Sequence, residues 1–429
     1  MSDIAQIAKL AKDASEKMQS LSTEVKNTAL KNISKELKSS FDEIIAANEK
    51  DLKNAEKLIE EGKISKAVYN RLKLSESKFD DILAGINDVI GLPDPINRTL
   101  LKRELAPGLV LEKISCPIGV LGIIFEARPD VIVQIGSLAV KSGNAVILKG
   151  GKEAVNTNRA LFDAVTRALE KTEGFVENAI NLIFSHDDVS EMLKQNDFID
   201  LIIPRGSNKL VSFVKNNTKI PVLGHADGIC HIYVDEKADF DKALKIIEDA
   251  KCNYPSACNA VETVLVNEKI RREFVPLLKK TAEKAGIKIN SDEICRLEGF
   301  GTVENWHFEY GDKILSLKSV NSVEEAVNHV NTYGSGHTDC IVTEDFSAGE
   351  YFMNNVDSAG VYMNASTRFA DGYRYGFGAE VGISTSKTHA RGPVGLEGLT
   401  IWKYKLFGSG DTVTEFASGE KKFEFKDLT

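Results

Sequence analysis

From Ile118 onward the apolar residues come in short runs separated by segments of helical period. This alternation limits the fold more than any other feature. Val120-Leu-Gly-Ile-Ile-Phe125 and Ala145-Val-Ile-Leu148 read as buried strands, 152–171 as a helix, 180–184 and 199–203 as strands, and 208–215 as a short helix. Pro221-Val-Leu223 and Ile229–Val234 follow as further strands. A second series then runs helix 239–251, strand 263–267, helix 271–285, strand 313–317, helix 323–332, strand 340–343, helix 345–355 and strand 359–363. Strands that are apolar on both faces and alternate with helices belong in parallel, doubly wound sheets. The expectation is α/β: a first domain over 1–228, a second over 229–392, and a terminal strand and tail over 393–429.

Before the alternation begins, Ala29–Ile45 and Lys66–Ile90 keep apolar residues three and four apart among charges, so the first 90 or so residues read as helical. Leu92-Pro-Asp-Pro95 ends that pattern. Leu101–Leu105 and Leu109–Ile114 flank Ala106-Pro-Gly108 and read as a hairpin over about 101–115. Leu399–Lys405 alternates as a strand near the end of the chain.

Charge narrows the function classes. There are 54 basic and 63 acidic side chains, a net charge of −9, which argues against a nucleic-acid partner. No long unbroken apolar run suggests a membrane span. Met1–Leu21 has helical spacing with Asp3, Asp13 and Glu16 and no signal-peptide core, so a cytoplasmic protein is expected. The 6 cysteines form no CxxC and read as reduced thiols. No cluster has metal-ligand spacing, so no metal is expected.

Chemistry concentrates in five stretches. Cys258 sits among small residues in Asn253–Thr263, at the mouth of a strand. A thiolate there could carry an acyl group as a thioester, although an isolated cysteine is more often a small buried apolar residue. Cys252 reads as a helix residue. No GxGxxG occurs, but Lys149-Gly-Gly-Lys152 and Pro204-Arg205-Gly206-Ser207 follow strands and open helices. Read as lying on neighbouring strands, they suggest a phosphate-bearing cofactor held by Lys149, Lys152, Arg205, Gly206 and Ser207. Arg128 after its strand, Ser366 and Arg368 in Asn364–Phe369, and Arg391 in His389–Pro393 add anion-binding capacity. Each arginine alone could equally be a solvated surface residue.

In this order the motifs resemble the aldehyde dehydrogenase superfamily over nearly the whole chain, and within it the branch that reduces an acyl phosphate in proline biosynthesis. The carrying stretches are Ile124-Phe-Glu-Ala-Arg-Pro-Asp130, Leu148-Lys-Gly-Gly-Lys-Glu-Ala154, Pro204-Arg-Gly-Ser207, Ser256-Ala-Cys-Asn-Ala-Val-Glu-Thr263 and His389-Ala-Arg-Gly-Pro-Val-Gly-Leu-Glu397. The resemblance implies an aldehyde dehydrogenase-like fold, with two doubly wound parallel-sheet domains plus a small β oligomerisation element. It implies Cys258 as the catalytic thiol and Lys149 at the adenosine ribose. Lys152 stands where NAD-using relatives often carry a glutamate, which favours NADPH over NADH because a lysine attracts the 2′-phosphate. Gly206 and Ser207 match the pyrophosphate-side helix start, and Glu309 the glutamate at the nicotinamide ribose.

Two departures carry information. The stretch matching the family's water-activating glutamate motif is Val222-Leu-Gly-His225, and Val222 cannot activate water. Ala127 falls where an oxyanion-hole asparagine is usual. The backbone N–H of Cys258 is then one oxyanion donor, with Arg128 either the second donor or a phosphate ligand. Asn259 and Ser366 are expected in the same oxyanion and substrate set. The implied reaction is NADPH-dependent reduction of L-glutamyl 5-phosphate through a cysteinyl thioester, with Arg128, Arg368 and Arg391 dividing the phosphate and the α-carboxylate. The hairpin and the terminal strand match the family's oligomerisation elements, implying a homodimer or tetramer. Delivery of a labile acyl phosphate would favour association with glutamate 5-kinase. The competing readings are a CoA-acylating aldehyde dehydrogenase, which would need CoA in place of phosphate, and a catalytically silent scaffold.

Overall fold

The computed structural model describes residues 3–184, 186–224 and 227–428. Two compact units are present, Met1–Leu223 with Gly395–Thr429, and Gly224–Val394. His225 of the Val222–His225 stretch lies outside the described residues.

The first unit begins with α1 (Asp3–Met18), α2 (Thr23–Ser39), α3 (Phe41–Glu60), α4 (Lys66–Leu72) and α5 (Glu76–Gly91). Ser22, Ser65 and Ser75 precede α2, α4 and α5, and each side chain accepts a backbone N–H three residues on. Such caps satisfy donors that a helix start leaves open, at about 1 kcal/mol each. The chain leaves α5 through Leu92-Pro93 into the hairpin β1 (Thr99–Ala106) and β2 (Leu109–Pro117).

Next come β3 (Val120–Phe125), α6 (Val131–Ser142), β4 (Ala145–Lys149), α7 (Val155–Glu170), β5 (Ile180–Ile183), α8 (His186–Met192), β6 (Leu201–Arg205) and α9 (Asn208–Asn216). Among the described residues the strands form a parallel sheet in the order β5-β4-β3-β6. Leu121, Ile123, Val146, Ile147 and Leu148 are fully buried in it, each contributing roughly 1.5–3 kcal/mol by removal from water. Every residue of α6 except Gln134 is buried. A helix apolar on all sides has no polar stripe to reveal its period, so this stretch has no legible helical signal in the sequence. Pro221–Leu223 is not a full strand; it makes one parallel bridge, Val222 to Ile202.

The second unit holds β7 (Cys230–Val234), α10 (Phe240–Cys252), β8 (Val261–Asn267), α11 (Arg271–Ala285), β9 (Lys288–Ser291), β10 (Gly301–Thr302), β11 (Ile314–Val320), α12 (Val323–Tyr333), β12 (Thr338–Val342), α13 (Phe346–Asn355) and β13 (Gly360–Met363). Their parallel sheet runs β10-β9-β11-β8-β7-β12-β13. The central strands β7 and β8 are buried at every residue. A two-stranded ribbon, β14 (Gly382–Ser384) and β15 (Gly392–Val394), closes the unit. β9 and the edge strand β10 are too short to carry a period.

The last segment returns to the first unit. β16 (Thr400–Phe407) pairs antiparallel with β2 from Thr400↔Pro117 to Phe407↔Val110. After α14 (Val413–Ala417), β17 (Lys426–Asp427) pairs with β1, giving the order β16-β2-β1-β17. No helix of the described residues is long and apolar enough to cross a membrane.

Candidate active site

In the first unit the candidate residues gather at the carboxyl ends of three strands. Lys149 ends β4 and Arg205 ends β6, but these strands are not neighbours: β3 lies between them, with Ile124↔Lys149 and Phe125↔Arg205 in register. Glu126, Ala127 and Arg128 therefore leave the sheet between the two cationic strand ends. Ala127 adopts a left-handed φ of 49°, costing an L-residue roughly 1–2 kcal/mol, and its N–H donates to Glu153 Oε1 at 2.6 Å.

Lys149 is 8% exposed and makes no ion pair among the described residues. Burial pulls it below the ordinary lysine pKa, against the nearby Glu153. Lys152 is exposed in the short turn that precedes α7. Ser207 is the N-cap of α9, accepting from Leu210 N at 3.4 Å, and its own N–H donates to Glu126 Oε2 at 2.8 Å. Gly206 leaves room for that approach: a Cβ there would lie 2.4 Å from Glu126 Oε2. A carboxylate thus already sits as an anion against the start of α9. Together with the buried Lys149, exposed Lys152 and Arg205, this donor set fits the phosphates of a dinucleotide. Glu126 and Glu153 stand in the quoted motifs, but their contacts are not legible in sequence because each acts on a backbone group of another segment.

In the second unit the nucleophile segment is short and closely tied. Ala257 N donates to Tyr254 O at 3.1 Å and Ala260 N to Ala257 O at 2.9 Å. These turns lead from α10 into β8 and leave Cys258 half-buried. None of the six cysteines is in a disulfide. Beneath Cys258 the backbone of Gly228 approaches so closely that a Cβ would fall 2.4 Å from Cys258 Cα. Cys230 Sγ donates to Cys258 O at 3.4 Å.

Asn259 is buried; its Nδ2 donates to Ala370 O at 2.8 Å and its carbonyl accepts from Thr367 Oγ1 at 2.7 Å. Asn259 Oδ1 is buried with no partner among the described residues. The amide donor is therefore engaged, and Asn259 ties the 366–370 turn to the cysteine. Ser366 Oγ accepts from Arg368 N at 3.3 Å, shaping the same turn.

Arg368 is the most unusual of these groups. It is 9% exposed, pairs with no carboxylate among the described residues, reaches Asn253 Oδ1 at 3.4 Å from both Nε and Nη2, and lies over the Tyr254 ring at 5.9 Å from its centroid. Burial first, then the neighbouring Arg374, pulls its pKa down, while Cys258 and Asp371 oppose them. A buried guanidinium without a carboxylate is a ready receptor for a ligand anion. Arg391 is the reverse case. Its Nη2 bonds Asp357 O and Oδ1, both at 3.0 Å, and Lys387 pairs with the same carboxylate. Those two cations hold Asp357 below the usual carboxylate range. Glu309 Oε2 accepts from Gly228 N at 3.0 Å, so it is linked to the backbone beneath Cys258.

The profile described as "Aldehyde dehydrogenase family" matches residues 1–297. A gamma-glutamyl phosphate reductase of Brachyspira hyodysenteriae is 56% identical over 426 residues, covering 98% of this chain and 99% of that one. One of Methanosarcina acetivorans is 50% identical over 421 residues, with 96% and 94% covered. The crystal structure of gamma-glutamyl phosphate reductase from Thermotoga maritima superposes with a TM-score of 0.92 at 39% identity, covering 96% of this chain and 100% of that one. An acetylating aldehyde dehydrogenase from Geobacillus thermoglucosidasius shares the fold, with a TM-score of 0.64 at 18% identity, covering 96% of this chain and 97% of that one. The chain therefore belongs to the aldehyde dehydrogenase family, whose members are nicotinamide-dependent oxidoreductases. Within that family it belongs with the gamma-glutamyl phosphate reductases.

Proposed function

We propose that the chain reduces L-glutamyl 5-phosphate to L-glutamate 5-semialdehyde with release of phosphate, in proline biosynthesis, using NADPH and a thioester on Cys258. The observation that carries this is the buried Arg368, without a carboxylate partner among the described residues, in a turn whose Thr367 and Ala370 bond to Asn259, the residue after the half-buried thiol. An anionic acyl substrate meets both needs at once.

The Cys258 thiolate attacks the acyl carbon, a C–S bond forms, and the C–O bond to phosphate breaks. The backbone N–H of Cys258 is the oxyanion donor that this chain offers, since Ala127 has no side-chain donor and the Asn259 amide is engaged with Ala370. Phosphate is already a good leaving group and needs no general acid. When bound, NADPH supplies the hydride that converts the thioester to a thiohemiacetal, which collapses to the aldehyde and returns the thiolate. Water is kept from competing because Val222, packed on the first unit's core, has no base to activate it. Arg368 holds one substrate anion, and Arg128, which has no ion pair among the described residues, holds the other. Asn259 and Ser366 keep Arg368 in place. Lys149, Lys152, Arg205, Gly206 and Ser207 hold the dinucleotide, with exposed Lys152 on its 2′-phosphate, and Glu309 is the nicotinamide-ribose ligand.

The chain works as a homodimer or tetramer through the open edge of β16, where Tyr404 is 60% and Leu406 58% exposed. An uncovered apolar edge strand is a template for pairing with a second copy. Its place is the cytoplasm, next to the glutamate 5-kinase that makes its unstable substrate.

The test is the reverse reaction. With glutamate 5-semialdehyde and NADP⁺, repeated turnover beyond one equivalent of reduced cofactor is expected only when inorganic phosphate is added, and no reduction at all with Cys258→Ala. Reduction that needs CoA in place of phosphate would instead make the chain a CoA-acylating enzyme. No reduction with either acceptor would leave a non-catalytic protein.

A further inference from the structure

The second unit buries a lysine and a glutamate against each other, and neither belongs to the proposed reaction. Lys251, in the last turn of α10, and Glu262, in β8, are both 0% exposed, with Nζ 3.0 Å from Oε2. Burial pushes Glu262 up to about 7 despite Lys251, and pulls Lys251 down. Burying two charges costs enough that apolar side chains of similar size often serve stability as well or better. What an apolar pair could not do is hold backbone groups. Glu262 Oε2 also accepts from Tyr310 N at 3.2 Å, and Oε1 from Gly311 N at 3.4 Å. Lys251 Nζ also donates to Asp312 O at 3.1 Å. The pair thus grips three consecutive residues, 310–312, by backbone groups.

That grip closes a ring of contacts. Glu262 lies four residues after Cys258 on the same segment. The turn it holds is preceded by Glu309, whose carboxylate accepts from Gly228 N at 3.0 Å. Gly228 in turn lies directly against Cys258, with no room for a Cβ between them. The path runs from Cys258 along β8 to Glu262, across to 310–312, back through Glu309 to Gly228, and so to Cys258. We infer that the Lys251–Glu262 pair is a positioning element that fixes Cys258 and Glu309 as one body, so that nucleophile and ribose-side carboxylate keep a constant relation. The inference rests on the proposed roles of Cys258 and Glu309, and goes beyond them in assigning work to two residues that touch neither substrate nor cofactor.

The test uses the full chain with Glu262→Gln and Lys251→Gln, beside Lys26→Met. Lys26→Met breaks the buried Lys26–Asp94 pair of the first unit and serves as a control for lost stability. Three quantities are read: Tm, the iodoacetamide alkylation rate of Cys258, and KM for NADPH. In both Gln variants the alkylation rate and KM are expected to shift together, each by roughly tenfold. Lys26→Met is expected to lower Tm and move neither. A lower Tm in the Gln variants, with alkylation and KM as in the wild type, would overturn the inference. If the Gln variants do not fold, backbone amide exchange in the wild type decides. Alkylation of Cys258 is expected to change exchange at Gly228, Tyr310 and Gly311 together, whereas independent responses would refute the coupling. Alkylation and exchange need no substrate, so an error in the assigned reaction would appear as missing turnover with the coupling intact.

Discussion

The two units treat their charges in opposite ways. In the first, Glu126 and Glu153 lean on the N–H groups of Ser207 and Ala127 beside Lys149 and Lys152, at a strand-end surface that is partly exposed. Those bonds are exchangeable: a phosphate can take the place of a carboxylate at a helix start. In the second, Asn259, Thr367, Cys230, Gly228 and Arg368 around Cys258 are buried or fixed by backbone bonds. Under the proposed function, the first surface swaps one anion for another and the second holds a thiol and a guanidinium still. A cofactor that must enter and leave suits the first, and chemistry that depends on placement suits the second.

Substitutions break or sharpen this contrast. Cys258→Ala has the largest expected effect, loss of turnover by roughly 10³-fold or more, as when a nucleophile is removed. Near-UV circular dichroism and dinucleotide binding are expected to be retained, since the first unit does not depend on the thiol. Gly228→Ala comes next. Its Cβ would sit 2.4 Å from Cys258 Cα, so kcat is expected to fall about 10²-fold, with a stability loss of about 1–3 kcal/mol from overpacking, measured by urea unfolding. A wild-type kcat would mean that the nucleophile segment is not held as tightly as its contacts imply.

Arg368→Met against Arg391→Met separates a guanidinium waiting for an anion from one already supplied with it. Removing a charge-assisted hydrogen bond costs roughly 1.5–3 kcal/mol, so Arg368→Met should raise KM for the acyl phosphate by about 10- to 100-fold. Arg391 sits in an exposed pair with Asp357, and its loss should change KM less than about fivefold. Equal effects would remove the distinction. The smallest effect is on the exchangeable side. Glu126→Gln removes the charge that competes with phosphate at α9, and KM for NADPH is expected to fall by about two- to fivefold. A rise would show that Glu126 helps to bind the cofactor.

How far the sequence could be read follows the same division. The alternation of buried strands and amphipathic helices was legible because its signals are local and periodic, and so were the positions of Lys149 at a strand end, Ser207 at a helix start and Cys258 just before a strand. α6 was not legible, since a helix buried on every side carries no stripe. Nor was the state of the arginines. Arg391 meets a carboxylate 34 residues away, while Arg368 meets only the neutral side chains of Asn253 and Tyr254 among the described residues, and both appear in sequence as arginines near glycine or serine. Glu262 reads as one residue in an apolar strand, yet its partners lie 11 and 48 residues away. Such roles are set by tertiary packing, which local pattern does not record.

The most direct measurement is a single turnover without an acyl acceptor. Protein is mixed with glutamate 5-semialdehyde and NADP⁺ in phosphate-free buffer, and both reduced cofactor and the mass of the Cys258 peptide are followed. The expected result is one equivalent of NADPH, a glutamyl adduct on Cys258, and its discharge when phosphate is added. Discharge by water alone, or reduction without an adduct on Cys258, would contradict acyl-phosphate chemistry through this thiol.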